Sequence, residues 1–396
     1  MATLKKSNGL THMHNFAKNN WRRIHLWLGL AAGFIFFLEC FSGTCLVFEE
    51  EMKEYLYRER FYVDKSTSLL PLDDLVATVK TAFPKETIGT VKRYADPYRT
   101  VEVSFGKRTA PRLAFVNPYT GTLITAVDAK QPDFFTWMLR LHQTLLMGKL
   151  GKTILGISTF IVLSILISGI VLWWPKTRKI LKQKLKIKYN GSWKRLNHDL
   201  HIVLGFYCAW FLCISLFTSL PWSFTWANDA LYTLTGSKPV KREKKEKSTL
   251  IQNAPSIPLQ EALVTGQEHF KEAPYWMISI PSKKEEVINL SSASTYPLHR
   301  NGFDQLSIDQ YSGKVLGISL HQDSPAGWQL RRYMKPIHTG SIGGLWGKSL
   351  AFVICLISAS FPITGILLWL NRRKKNSRKR MKSRQPRFDK NEVFLN

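Results

Sequence analysis

The sequence is poor in the residues that build the common soluble metal and redox sites. It has five cysteines, all inside apolar runs, and no two of them are spaced C-x-x-C. A zinc ribbon, a thioredoxin-type site and a covalently attached haem are therefore not indicated. We interpret the cysteines as small apolar packing residues. They are Cys40, Cys45, Cys208, Cys213 and Cys355.

Nucleotide-binding motifs are also missing. The tripeptides 151–153 and 347–349 resemble the end of a P-loop, but such a loop needs a glycine five residues before its second glycine. Leu146 and Ile342 stand at those positions, and no strand is predicted before them. No G-x-G-x-x-G follows a predicted strand either. ATP, nicotinamide and flavin domains are thus excluded, and an electron donor to this chain would be another molecule.

Acidic residues are scarce: the chain has 28 Asp and Glu against 56 Lys and Arg, a net charge of +28. The basic residues crowd three stretches, 5–23, 176–195 and 372–384, and each stretch adjoins an apolar run. Short basic segments beside membrane spans stay on the cytoplasmic side. The charge is therefore accounted for by membrane topology, and we expect no nucleic-acid partner.

Four apolar runs are long enough to cross a bilayer, which takes about 20 residues. The N-terminal segment lacks the short apolar core and small-residue cleavage site of a cleaved signal peptide, so we expect an uncleaved anchor with a cytoplasmic N-terminus. The predicted order is a cytoplasmic arm (1–23), a first span (24–48), an outer domain (49–140), a second span with its preceding histidine segment (141–174), a basic cytoplasmic loop (175–200), a third span (201–223), a second outer domain (224–335), a fourth span with its histidine segment (336–370) and a basic cytoplasmic tail (371–396).

One stretch of the chain occurs twice. Residues 142–173 align with residues 338–369 without a gap, at a shift of 196, and His142 meets His338. A shorter match, histidine followed by leucine at +3 and glycine at +4, relates His25 to His201. We predict two tandem repeats of the same orientation, related by a pseudo-two-fold axis along the membrane normal.

The two outer regions have the same predicted element order. Each begins with a helical pattern, at 72–83 and 259–270, and continues with four short strands separated by turn residues. The turn at 117–121 matches the turn at 309–313 in place and type. The expected fold class is therefore membrane α-helical plus α+β, with four transmembrane helices in two repeats and one helix on an antiparallel sheet in each repeat. The predicted strands are 87–94, 100–105, 112–116 and 123–127, then 276–280, 286–290, 304–308 and 315–318.

Five of the ten histidines lie at the entrances of the spans: His25, His142, His198, His201 and His338. The symmetry predicts that His25 faces His201 and that His142 faces His338. Two facing imidazoles are the axial ligands of a six-coordinate haem iron, so the pattern predicts two non-covalent b haems. His198 precedes His201 by three residues on the same helical face, and it would either replace His201 or assist a propionate. The alternative is that the histidines are interfacial residues.

Charged residues near these histidines are candidates for binding the haem propionates. Lys152 and Lys348 are expected on the outer side, and Arg22 and Arg23 on the inner side, together with Arg195. An acid inside the first span, Glu39, has two open interpretations: a hydrogen-bonded residue of the bundle, or a group that handles protons or quinol.

The residues around the histidines resemble those of the PepSY-associated transmembrane proteins, often called iron-regulated membrane proteins. The outer regions, each with an Asn/Asp-x-Tyr-Thr/Ser-Gly turn, resemble PepSY domains. The motifs that carry the resemblance are Arg23-Ile24-His25-x-x-x-Gly29, Leu141-His142-x-x-Leu145, Leu172-Trp173-Trp174-Pro175, Asp199-Leu200-His201-x-x-x-Gly205 and Ile337-His338-Thr339-Gly340.

This resemblance implies a bacterial inner-membrane ferric-siderophore reductase with two b haems and periplasmic PepSY domains. The implied haem ligands are His25, His142, His201 and His338. The acceptor would be a ferric siderophore or another Fe(III) complex, and the donor a quinol or a reductase. A membrane-anchored PepSY protein that binds or regulates a partner without redox activity is the alternative. An iron or haem permease is a third, opposed by the small number of spans and of intramembrane acids.

Overall fold

The computed structural model describes residues 2–107, 110–127, 133–238, 246–251, 254–294 and 301–384. The end of the predicted tail, 385–396, lies outside these residues. The chain divides into two units. The span unit contains the chain up to Thr44, Leu141–Phe217 and the chain from Ala351; the sheet unit contains Cys45–Arg140 and Thr218–Leu350.

Within the described residues, four helical stretches are long and apolar enough to cross a membrane: Lys18–Leu46, Gly148–Trp173, Trp193–Ser223 and Ser341–Ser377. A helix satisfies its backbone hydrogen bonds internally, which a segment surrounded by lipid requires. The predicted membrane α-helical class is thus confirmed. The helices that form these stretches are α1 (Ala2–Leu46), α6 (Gly148–Trp173), α8 (Trp193–Asp199), α9 (Gly205–Ser223), α13 (Gly344–Ala359) and α14 (Phe361–Arg384).

Three features of these helices were not among the predictions. Helix α1 begins at Ala2, so the described residues of the arm 1–23 are helical and continuous with the first span. A π-helical turn, Leu200–Leu204, joins α8 to α9 and contains His201. Such turns are rare and often lie at functional sites. The fourth stretch is broken between α13 and α14, next to Pro362, which has no N–H to donate.

The span unit has an apolar core that includes a cysteine. Cys208, Leu212 and Ile354 are buried, and Phe36 and Phe361 pack against them. All five cysteines are free thiols, and Cys208 is only 2% exposed. Their interpretation as packing residues agrees with this.

The sheet unit contains one antiparallel sheet of eight strands in the order β4-β3-β2-β1-β5-β6-β7-β8. Its strands are β1 (Ile88–Tyr94), β2 (Val101–Lys107), β3 (Ala110–Val116), β4 (Leu123–Val127), β5 (Tyr275–Ser279), β6 (Ile288–Ala293), β7 (Phe303–Ile308) and β8 (Val315–Ser319). Its helices are α2 (Glu49–Leu56), α3 (Arg58–Phe61), α4 (Leu72–Ala82), α10 (Thr225–Leu234), α11 (Leu259–His269) and α12 (Ala326–Thr339), whereas α7 (Arg178–Lys184) belongs to the span unit. Helix α5 (Phe134–Thr144) belongs to the sheet unit up to Arg140 and to the span unit from Leu141.

The prediction of two separate α+β domains is corrected by this sheet. Strands β1 and β5 pair antiparallel at its centre, where Val91 lies opposite Ile278. Both side chains are fully buried. In separate domains β1 and β5 would be edge strands with an unpaired row of backbone groups, and their pairing removes both edges.

Helices α4 and α11 cover one face of the sheet and cap each other. The carboxylate of Asp73 accepts hydrogen bonds from the backbone N–H groups of Leu259 and Gln260, at 2.9 and 3.0 Å. In return, the side-chain oxygen of Gln260 accepts from the backbone N–H of Leu72 at 3.1 Å. A carboxylate at a helix N-terminus satisfies free N–H groups and complements the helix dipole. Residues from both predicted domains therefore form one core.

The two predicted turns have the same geometry. The Asn117 side-chain oxygen accepts from the Tyr119 N–H at 2.8 Å, and an Asp309 oxygen accepts from the Tyr311 N–H at 2.8 Å. Each turn closes on a glycine in the left-handed region, Gly121 (φ 71°) and Gly313 (φ 70°). Residues with a side chain rarely adopt this backbone conformation, which explains the glycine in both turns.

Replacing Asp309 by asparagine is expected to weaken the acid sensitivity of the sheet unit. Asp309 is buried; burial raises the pKa of its carboxyl, but hydrogen bonds from Ser312, Thr249 and Tyr311 lower the pKa below 3.8 and prevail. Because the folded-state pKa is depressed, this stabilisation is present above about pH 3.8 and is lost as the pH falls through the folded value. Asparagine preserves the turn, as Asn117 does, but removes this titration.

Melting temperatures of the full-length protein and of Asp309→Asn, measured from about pH 7 down to pH 3, test this expectation. The amide nitrogen that replaces one carboxylate oxygen cannot accept from the Thr249 N–H, so the variant loses about 1–3 kcal/mol at neutral pH. The difference in melting temperature between the wild type and Asp309→Asn should narrow as the pH falls. Curves that stay parallel down to the lowest pH would contradict the assignment.

Candidate functional site

The span unit brings His25 of α1 and His201 of the π-helical turn together. Their ring centroids are 6.4 Å apart and their planes are nearly perpendicular, at 89°. This is one of the two predicted histidine pairs. The contact joins residues from the first and third membrane-spanning stretches.

Hydrogen bonds determine which nitrogen of His25 carries the proton. The Nδ1 atom lies 3.1 Å from the backbone oxygen of Ile165 and 2.9 Å from the hydroxyl of Ser168. A carbonyl oxygen can only accept, so Nδ1 must be the protonated nitrogen. The Ser168 hydroxyl donates its single proton to Ile165 O at 2.9 Å, and its oxygen is therefore an acceptor for the same N–H.

His201 has the same arrangement through a threonine. Its Nδ1 lies 2.8 Å from the hydroxyl oxygen of Thr364. That hydroxyl donates to the backbone oxygens of Ser360 and Phe361, both at 3.1 Å. When the hydroxyl donates its one proton to either carbonyl, its oxygen accepts from the Nδ1–H of His201. In this arrangement the two paired histidines have the same tautomer.

Two glycines leave room for the imidazole rings of His25 and His201 beside the neighbouring helices. A Cβ atom at Gly169 would lie 3.3 Å from Cε1 of His25, and one at Gly365 would lie 3.4 Å from Cε1 of His201. Each glycine directly follows the hydroxyl residue that binds the ring. A larger residue at either position would push the imidazole away from that hydroxyl.

The tautomer and the spacing fit axial ligation of haem iron. With Nδ1 protonated, a neutral imidazole has its lone pair on Nε2, and metal-bound histidines usually donate their other N–H in this way. The 6.4 Å between the ring centroids is compatible with the two rings holding one metal ion between them.

His142 and His338 lie in different units, and each has its own hydroxyl neighbour. Nδ1 of His142 donates to the backbone oxygen of Glu39 at 3.1 Å and contacts the Ser42 hydroxyl at 3.1 Å. Nδ1 of His338 lies 3.2 Å from the Thr218 hydroxyl. The predicted pairing of these histidines stays a prediction. Glu39 contributes to the surroundings of His142 through its backbone carbonyl.

Sequence reasoning did not identify the four hydroxyl residues, although the repeat contained the signal. The shift that aligns His142 with His338 also aligns Ser168 with Thr364. The match of His25 to His201 likewise aligns Ser42 with Thr218. The sequence thus showed hydroxyl residues at equivalent positions of the two halves. Each lies on a different helix from the histidine that it contacts. The contact itself required the packing of the helices.

His198 is not a member of the His25 pair. Its Nδ1 lies 3.1 Å from an oxygen of the Asp199 carboxylate, whose other oxygen accepts from Arg195 Nε at 2.9 Å. The His198 side chain is 40% exposed. Of the two histidines in this segment, His201 therefore contacts His25, whereas His198 contacts the carboxylate of Asp199.

The predicted propionate partners are dispersed. The Lys348 ammonium forms an ion pair with Glu51 at 2.6 Å. Arg22 donates to the Asn19 side chain at 2.8 Å and is exposed, as are Arg23 and Lys152. Lys348 would have to leave Glu51, or share it, to bind a propionate.

Four apolar spans, a sheet unit built from two helix-and-strand runs, and histidines at the span ends define a polytopic membrane protein of mixed α and α+β structure. A comparison with protein families matches residues 22–372 to the PepSY-associated transmembrane region. The chain belongs to this family, as the histidine motifs predicted. A comparison with curated proteins finds no match.

Proposed function

We propose that this protein is a di-haem b electron carrier of the bacterial inner membrane that reduces siderophore-bound Fe(III) on the periplasmic side. The observation that carries the proposal is the His25–His201 pair, in which both rings have the tautomer needed for metal ligation. A haem bound there supplies one-electron transfer. His25 and His201 would hold the iron through Nε2, and Ser168 and Thr364 would orient the rings.

The second haem is assigned to His142 and His338. The proposal is supported by the repeat, which makes these histidines equivalent, and by the hydroxyl neighbour that each of them has. Two haems at opposite ends of the spans would carry electrons from one leaflet to the other.

The direction of transfer follows from the charge distribution. The basic loop 175–200 and the basic tail are proposed to lie in the cytoplasm, which places His25 and His201 at the cytoplasmic end and the sheet unit in the periplasm. A quinol or a cytoplasmic reductase would donate the electrons. Fe(II) is a softer ion than Fe(III) and is held less tightly by hard oxygen chelators, so reduction releases the metal.

Absorption spectra of the detergent-purified protein, oxidised and then reduced with dithionite, test the proposal. We expect sharp reduced α-bands and a pyridine haemochrome count of about two b haems per chain. In vesicles with the donor inside, ferrous iron should appear outside when a ferric siderophore is added there. A protein that stays free of haem after expression with haem supplied would instead support the PepSY-anchored regulatory protein.

Replacing Thr364 by valine is expected to weaken haem binding at the His25–His201 pair. Valine has the shape of threonine but cannot accept from the Nδ1–H of His201. Loss of a partner that orients a metal ligand typically costs 10- to 100-fold in affinity. The measurements are the rate of haem transfer to apomyoglobin and the midpoint potential of the haem proposed at His25 and His201.

Thr364→Ser is the matched control, because serine retains the hydroxyl and should behave as the wild type. Equal haem retention and equal potentials in the valine and serine variants would show that the hydroxyl does not orient the ligand.

A further inference from the structure

A cleft of about 230 Å³ opens on the helix-covered face of the sheet unit. It is formed by the segment before α4, by β1 and by one side of α11. Its walls are mainly apolar, and none of its lining residues is acidic. The lining residues are Leu69, Leu70, Pro71, Arg93, Gln260, Leu263 and Gln267.

The charged residue of this cleft, Arg93, is mostly buried and has no carboxylate partner among the described residues. The side chain is 8% exposed, and none of the hydrogen bonds or ion pairs among the described residues involves its guanidinium. Burial lowers the pKa of this guanidinium, so its charge is held at a cost. The guanidinium nitrogens reach the surface of the cleft, where water or a ligand can contact them.

The fold does not need an arginine at this position. Arg93 is the sixth residue counted from the start of β1, and the sixth counted from the start of β5 is Ile280, which packs against the core. Across the β1–β5 pair, Arg93 lies opposite Trp276, whose indole N–H is buried and has no acceptor among the described residues. Arg93 lines the cleft, whereas Trp276 does not, so Arg93 is the donor that an acceptor group from outside the chain would meet.

Further donors belong to the cleft. The oxygen of Gln260 accepts from Leu72 N–H, which leaves the amide N–H groups of Gln260 as donors. Gln267 adds a second amide. Leu263 and Pro71 supply apolar surface beside these polar groups. The combination is one positive charge, two amides and an apolar wall.

We propose that this cleft binds a carboxylate carried on a short apolar group, with Arg93 as its anchor. The planar guanidinium matches a carboxylate with two parallel hydrogen bonds. A single cation balances a monoanion, whereas a phosphate dianion would call for more positive charge than the cleft has. The site is independent of haem and of electron transfer, so it is a second function of the sheet unit.

Saturation-transfer NMR on the full-length protein in detergent tests the proposal with three probes: 4-methylpentanoate, its neutral analogue 4-methylpentanamide, and inorganic phosphate. The carboxylate should bind saturably, and the amide and phosphate should not compete with it. Arg93→Gln should weaken binding roughly 10- to 100-fold, as for a lost charged hydrogen-bond pair. Arg58→Gln, the same change at an exposed arginine of α3, should leave binding unchanged.

The source of the carboxylate is distinguished by acetyl-alanyl-leucine and its C-terminal amide. Tighter binding of the free-acid peptide than of 4-methylpentanoate would identify a peptide C-terminus, and equal binding would identify a small organic acid. Both results support the site. Unchanged binding by Arg93→Gln, or no saturable binding of any carboxylate, would overturn the proposal.

The melting temperature of the ligand-free protein separates this role from a structural one. Arg93→Met replaces a mostly buried charge that has no carboxylate partner among the described residues with an apolar chain of similar length, so the variant should melt at the same temperature as the wild type or higher. A large drop in melting temperature would show that Arg93 is a structural residue and would contradict the proposal.

Discussion

Replacing His201 by alanine is expected to remove one of the two proposed haems, while replacing His198 by alanine leaves both in place. The two histidines are three residues apart, so composition and local helix propensity change in the same way. Only His201 has its ring beside His25 and its Nδ1 on the Thr364 hydroxyl. His198 contacts the Asp199 carboxylate and is partly exposed.

The pyridine haemochrome content of the purified variants measures this effect. We expect about half of the wild-type haem in His201→Ala and in His25→Ala, and the wild-type amount in His198→Ala, because loss of one axial ligand disrupts six-coordinate binding at one site only. The remaining haem should retain its own α-band. Loss of haem from His198→Ala instead would show that His198, and not His201, is the ligand.

The second large effect is expected at the centre of the sheet. Ile278→Ala removes a fully buried side chain that pairs with Val91 across the β1–β5 junction. Truncation of a buried isoleucine costs about 2–5 kcal/mol. Because one core is shared, the destabilisation should reach strands on both sides of the junction.

Hydrogen exchange of the full-length protein, resolved by peptide, measures how far the effect extends. Exchange should increase in β1–β4 as well as in β5–β8, since both runs of strands belong to one cooperative core. Leu316→Ala is the control, because Leu316 is 40% exposed on the edge strand β8 and its loss costs little. Faster exchange confined to β5–β8 would indicate two independently folded domains.

The local structure of the sheet unit could be predicted because short-range patterns determine it. The helices α4 and α11 begin at the residues where the helical patterns begin, Leu72 and Leu259. The turns at Asn117 and Asp309 follow from side-chain oxygens that accept from nearby backbone N–H groups. The pairing of β1 with β5 could not be predicted in this way, since it joins strands far apart in sequence and depends on which edge is available.

The histidine site, too, could be predicted only in part from the sequence. Symmetry in the sequence predicted that His25 and His201 meet. It left open that His198 replaces His201, because both are placed on the same helical face. The structure distinguishes them: His201 lies in the π-helical turn and contacts His25, whereas His198 contacts the carboxylate of Asp199.

The sequence by itself determined the membrane class, the four spans and the family, and it predicted the pairing of His25 with His201, because hydropathy, charge and repeated motifs are properties of the chain alone. The tertiary structure decided the single sheet, the tautomers set by Ser168 and Thr364, the ion pair of Lys348 and the unpaired charge of Arg93. These features depend on which groups from distant segments come within hydrogen-bond distance, and only the packing of the folded chain fixes those distances.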